Sequence, residues 1–100
     1  RRQLIVRIVW SEPAAWALES IQDYIARDNR RAAWQVVQRV RHAVNQLEEH
    51  PKMGRPGRVR GTLELVIPGL PYIVPYRIKG GDVQILSVFH AARKWPEQFE

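Results

Sequence analysis

Two short separators, Pro68-Gly69-Leu70-Pro71 and Lys79-Gly80-Gly81-Asp82, constrain this chain more than any other feature. They divide three β-rich runs, Thr62 to Ile67, Tyr72 to Ile78 and Val83 to Phe89. Antiparallel strands can be joined by so short a link, whereas a parallel crossover needs about a dozen residues or more. The three runs are therefore expected as an antiparallel meander. Pro75 has no N–H to give to a ladder, so an edge position or a bulge is expected where it stands. A fourth run, Leu4 to Val9, is too short and too β-branched for a helix and reads as a strand.

Between the first run and the meander the apolar period changes from two to 3.6. Ser11-Glu12-Pro13 signals a helix start, since Ser caps, Pro is tolerated in the first turn and Glu complements the dipole. Helix one is expected over Glu12 to Arg27, with Ala14, Ala17, Leu18, Ile21, Tyr24 and Ile25 on its buried face. Asp28 or Asn29 offers the next cap, and Ala33, Val36, Val37, Val40, Val44 and Leu47 mark helix two over Arg31 to Glu49. The link between them is short enough to fold the pair back as an antiparallel hairpin. From His50 to Gly61, two prolines and three glycines break regular structure, and a loop is expected. The last ten residues are read as adding one short helical turn. The expected fold is α+β: a helical hairpin packed on one face of a small antiparallel sheet, in the order β-α-α-β-β-β.

At 100 residues the chain is one domain, residues 1–100, with 45% hydrophobic and 26% charged residues, a composition that folds. No apolar stretch approaches the length of a membrane span and no secretory opening is visible, so the expected location is cytoplasmic, with no membrane partner. The absence of cysteine excludes disulfides, zinc-thiolate sites and a thiol nucleophile. His42, His50 and His90 fall on three different elements, so no metal site is expected, and no cofactor either.

Sixteen Lys plus Arg against ten Asp plus Glu give +6, a balance that suits nucleic acid or an acidic protein, or simply a solvated basic surface. Lys52, Lys79 and Lys94 are the only lysines, and the guanidinium fork of the many arginines suits phosphate and carboxylate. Lys52, Arg55, Arg58 and Arg60 share the His50–Gly61 loop with no acid among them, so these cations are expected unpaired and free to meet a target, with a solvated connection as the alternative. The loop lacks the Walker spacing. Arg93 and Lys94 follow His90 and extend the candidate target surface. His90 can move a proton near neutral pH and an adjacent guanidinium can stabilise developing anionic charge, although a strand-end His is more often structural. Trp16 lies on the helical face of Glu12, Glu19, Ser20 and Asp23, and Trp34 on that of Arg30, Gln38 and Arg41. Large aromatics on polar faces point to a protein partner, or else to a broad buried face.

The second half of the chain resembles the RelE/ParE superfamily of toxins from bacterial type II toxin–antitoxin systems. The resemblance rests on Gly54-Arg55-Pro56-Gly57-Arg58-Val59 with Gly61-Thr62 and Glu64-Leu65-Val66, on Pro71-Tyr72-Ile73-Val74 with Tyr76-Arg77, and on Ile85-Leu86, Val88, His90, Ala92-Arg93 and Trp95-Pro96. Ile21, Asp23, Tyr24, Ile25 and Ala26 resemble the family's first helix. The resemblance implies a cytoplasmic toxin, in a hetero-oligomer with a co-encoded antitoxin whose C-terminal part wraps it; Trp16 and Trp34 are the residues expected to meet that partner. Leu63 and Ser87 stand where close relatives are expected to carry Arg, so two cations of the usual concave surface are missing.

The superfamily contains two activities. ParE-like members poison DNA gyrase, are neutralised by ParD-like antitoxins and are not enzymes. RelE-like members are ribosome-dependent mRNA endonucleases, for which His90, Arg93, Arg77 and Arg60 would be the candidate catalytic residues here. Metal-free cleavage of RNA needs a base, an acid and a clamp for the phosphorane charge. His90 supplies one proton carrier, and no second is obvious because Tyr72 and Tyr76 read as packing residues of the strand faces. The gyrase poison is therefore ranked first and the ribonuclease second. A basic nucleic-acid-binding module without a toxin role is a third reading, weakened because Tyr72, Tyr76 and Phe89 are too few to form a stacking face.

Overall fold

The structure, a computed structural model, describes residues 6–92, 95, 96 and 99. Leu4, Ile5, Arg93 and Lys94 lie outside the described residues, as do residues 97, 98 and 100, so that half of the segment read as adding a terminal helical turn is not described. The elements are β1 (Arg7–Trp10), α1 (Glu12–Ala26), α2 (Arg30–Asn45), a 3-10 turn (Gln46–Glu48), β2 (Arg55–Pro56), β3 (Leu63–Val66), β4 (Tyr72–Lys79), β5 (Asp82–Ile85) and β6 (Phe89–His90). Both helices start where their caps predict. The Ser11 side chain accepts from the Ala14 N–H at 3.1 Å and the Asn29 side chain from the Ala32 N–H at 2.9 Å.

The strand order is β1-β5-β4-β3-β2, with β6 pairing β4 beyond the end of β5. The meander is antiparallel as expected, and β4 and β5 are joined through Gly80 and Gly81, whose φ angles of 60° and 83° give the two-residue turn that suits twisted strands. Alternate residues Leu65, Val74, Tyr76, Val83 and Ile85 share one sheet face and pack in one core with Ala14 and Leu18 of α1 and Val37, Val40 and Val44 of α2. Both helices thus cover the same face.

Three expectations need correction. The sheet is mixed, because β1 runs parallel to β5, with Arg7 opposite Asp82 and Trp10 opposite Ile85. No short turn ties β1 to any strand, so its direction is set by where the helical hairpin delivers the chain. The expected loop contains β2, whose two residues pair with Leu63 and Glu64. The third run, expected to be continuous over Val83 to Phe89, breaks into β5 and β6.

Pro75 explains the break. The Ile67 N–H donates to the Tyr72 carbonyl at 3.1 Å, which sets the phase of the β3–β4 ladder: even-numbered residues of β4 bond to β3 and odd-numbered ones to the other neighbour. The N–H that Pro75 lacks would therefore face residues 86–88. Only the reciprocal bond survives, Leu86 N–H to the Pro75 carbonyl at 2.9 Å. Pro75 sits in a central strand, not at an edge, and the bulge falls on its partner.

Candidate functional site

The basic loop differs from its expected character. Glu64, only 2% exposed, faces it from β3 and accepts from Arg55 Nε at 3.0 Å, from the Arg58 backbone N–H at 2.9 Å and from Arg58 Nε at 3.0 Å. Burial pushes this carboxyl up, but the Arg58 amide and the two guanidinium groups outweigh it and hold the group below its ordinary value. The guanidinium carbon of Arg58 also lies 3.9 Å from the centre of the Trp95 ring. Arg55 and Arg58 are therefore structural staples, paired by an acid that lies nine and six residues away in sequence. Lys52 and Arg60 are exposed and take part in none of these contacts.

The loop is pinned a second time by Tyr76. Its fully buried ring sends the hydroxyl to the Pro51 carbonyl at 2.8 Å, and the same oxygen accepts from the Gly54 N–H at 2.9 Å. Burial raises the Tyr76 pKa. At Gly54 a Cβ would come within 2.6 Å of that hydroxyl, which accounts for glycine there.

Two of the candidate nuclease residues, His90 and Arg77, are not brought together, and a third, Arg93, lies outside the described residues. His90 pairs with Tyr72 across β6 and β4, with the two rings edge-on at 5.8 Å, on the face that carries the helices. Its Nδ1 accepts from the Ala92 N–H at 3.1 Å, so the neutral ring keeps its proton on Nε2. Arg77 lies further along β4 and, being of opposite parity to Tyr72, faces the other side of the sheet, where its Nε donates to Gln84 Oε1 at 2.8 Å. Leu63, where an Arg was expected, packs against the core beside Tyr76, and Ser87 is buried.

The two tryptophans point to solvent as their polar faces imply, Trp16 at 69% exposure and Trp34 at 60%, but they serve different surfaces. Trp16 lies in a groove of about 830 Å³, with Ile21 and Tyr24 on the same wall and Tyr72, Val88 and His90 on the other. Tyr24, expected in the buried stripe, is 71% exposed. It stands with Trp16 and Ser20 at i, i+4 and i+8, a spacing that could have revealed the second stripe. Burial is the larger cause raising the Tyr72 pKa, with nearby Tyr24 adding to it. Trp34 stands apart on α2, whose residues include four arginines and no acid.

Comparison with known proteins adds family to geometry. The family described as the ParE toxin of the type II toxin–antitoxin system parDE matches residues 8–95. The putative toxin Y4kP of Sinorhizobium fredii is 48% identical, over 91% of this chain and 94% of that protein. Toxin RelE2 of Caulobacter vibrioides is 33% identical, over 89% of this chain and 99% of that protein. Among solved structures, a chain of the chromosomal ParDE system from P. aeruginosa is similar with a TM-score of 0.78 and 29% identity, covering 86% of this chain and 96% of that one. A chain of the RelBE2 toxin–antitoxin complex from Mycobacterium tuberculosis reaches 0.60 and 25%, covering 86% and 98%.

Proposed function

The chain belongs to the ParE toxin family of type II toxin–antitoxin systems, and on that premise we propose that it arrests growth in the cytoplasm by poisoning DNA gyrase and is held inactive by a co-encoded, ParD-like antitoxin. The observation that carries the reading is the separation of His90 from Arg77 on opposite sheet faces. A metal-free nuclease needs its proton carriers and its phosphorane clamp around one phosphate; a poison needs only a complementary surface. Exposed Lys52 and Arg60 contribute to that surface, with Arg93 and Lys94 proposed beside them from sequence. The Trp16 groove and the Trp34 face are the proposed antitoxin contacts, and two solved relatives come from toxin–antitoxin assemblies.

A second reading, ribosome-dependent mRNA cleavage, is favoured by the relative named Toxin RelE2 and by the exposure of His90. A reconstituted assay separates them. Purified gyrase on supercoiled DNA is expected to accumulate cleaved complexes with this chain, while a purified translation system continues. The assay is run also on Leu63→Arg and Ser87→Arg, which restore the two missing cations. Ribosome-dependent cutting by any of the three, slowed about a hundredfold or more by His90→Ala and with gyrase unaffected, would reverse the order.

A further inference from the structure

The sheet face turned away from the helices is not bare. By the alternation of the pleat it carries Val66, Ile73 and Phe89 in one row across β3, β4 and β6, and Glu64 and Pro75 in the next. A two-layer fold leaves such a face to water. Yet Ile73 is only 5% exposed, Pro75 is fully buried, and Val59 of the basic loop is buried without joining the core beneath the helices. Aromatic residues from the end of the chain lie on this side: the Trp95 ring is 4.6 Å from the Phe89 ring, and the Phe99 ring is 6.0 Å from it. Trp95 also receives the Arg58 guanidinium at stacking distance, 3.9 Å from the ring centre, and its indole Nε1 is shielded from solvent. A line of contacts therefore runs from a buried carboxylate to the C-terminal aromatics. Glu64 Oε2 holds both the backbone N–H and Nε of Arg58, at 2.9 and 3.0 Å, and Arg58 holds Trp95.

We propose that Arg58, aimed by Glu64, is a positioning residue that seats Trp95 on the far face of the sheet and so joins the basic loop and the C-terminal segment into one target-binding surface. The proposal rests on the target reading above, in which Lys52 and Arg60 of the loop act with Arg93 and Lys94, the two residues that precede Trp95 in the sequence. Arginine is suited to the task because its planar guanidinium can keep an edge on a carboxylate while turning a face to a ring, which an ammonium cannot do. The Arg58 side chain is still part hydrated, so its ion pair adds little stability, and what the arrangement supplies is direction. Direction matters to a surface built from two segments. Cations that must be ordered at the moment of binding weaken it by the cost of that ordering, and a seated Trp95 removes the cost beforehand.

Fluorine NMR of the full chain labelled with fluorotryptophan tests the seating, since the four tryptophans give four signals and Trp95→Phe assigns the one in question. In the parent, the Trp95 signal is expected to shift little between light and heavy water. In Arg58→Lys and in Glu64→Gln it should take on the solvent shift of exposed Trp16, while the Trp10 and Trp34 signals stay in place. The amount of toxin needed for half-maximal growth arrest, measured against its level in the cell, should rise about tenfold or more in both variants and in Trp95→Leu. Trp95→Phe, which keeps a ring for the guanidinium, should retain the potency of the parent. Val37→Ala weakens the core beneath the helices and should lower the thermal midpoint with Trp95 still seated, which separates positioning from general instability. A Trp95 signal unchanged in Arg58→Lys would overturn the seating role. Release of Trp95 with growth arrest undiminished would overturn the joint surface. Growth arrest reads either target, so failure of the gyrase assay alone would reverse the ranking above and leave this result standing. A parent that arrests no growth would overturn the toxin reading and the joint surface with it, the seating of Trp95 being decided separately by the fluorine signals.

Discussion

Glu64 turns a loop that reads as free cations into a fixed scaffold. Its partners are half exposed, with side-chain exposures of 53% for Arg55 and 42% for Arg58, so they stay hydrated when the carboxylate is lost. Glu64→Gln is accordingly expected to cost about 2 kcal/mol in denaturant melts, less than the loss of a fully buried ion pair. Because the folded carboxyl titrates below its ordinary value, the stabilisation is complete above about pH 4.5 and is lost as pH falls through the lower folded value. Melts of Glu64→Gln should therefore lose this part of the acid sensitivity of the parent. Tyr76→Phe makes a different test: it strands the Gly54 N–H and the Pro51 carbonyl, and is expected to cost about 1–2 kcal/mol and to speed exchange of the Gly54 amide. The sequence does display Glu64, two residues beyond Thr62. Its role was hidden because pairing with Arg55 and Arg58 depends on β2 folding back along β3, which composition does not encode.

At the scale of elements, each feature governed by near neighbours was readable. Ser11 and Asn29 cap the helices, Gly80-Gly81 turns the hairpin and Pro75 disturbs its ladder, all from local backbone chemistry. Features set by distant delivery were not. The parallel direction of β1 follows from the path of the helical hairpin over the sheet, and the shift of the bulge from Pro75 to residues 86–88 follows from the phase of a ladder two strands wide. The helical faces make the partner reading testable element by element. If Trp16 on α1 or Trp34 on α2 anchors the antitoxin, replacing it by Ala should weaken the complex by about 2 kcal/mol in titration calorimetry. Because Trp16 shares its groove with Tyr24 and Tyr72 while Trp34 stands among arginines, the larger loss is expected at Trp16. Equal affinity of both variants and the parent would remove the hairpin from the interface.

For the molecule as a whole, the +6 balance remains consistent with an acidic or nucleic-acid target, although two of the loop cations have a structural assignment. The choice between gyrase and ribosome belongs at this scale, because it depends on which large assembly meets the complete surface rather than on one side chain. The β1–β5 pairing bears on when that surface comes into being. Arg7 waits for Asp82, and the core that both helices cover lacks Val83 and Ile85 until β5 is in place. During translation the helical hairpin emerges early and finds only part of the sheet it must cover. A chain stopped before β5 therefore leaves the apolar faces of both helices without the Val83 and Ile85 side chains they cover, and β1 without its only partner strand among the described residues.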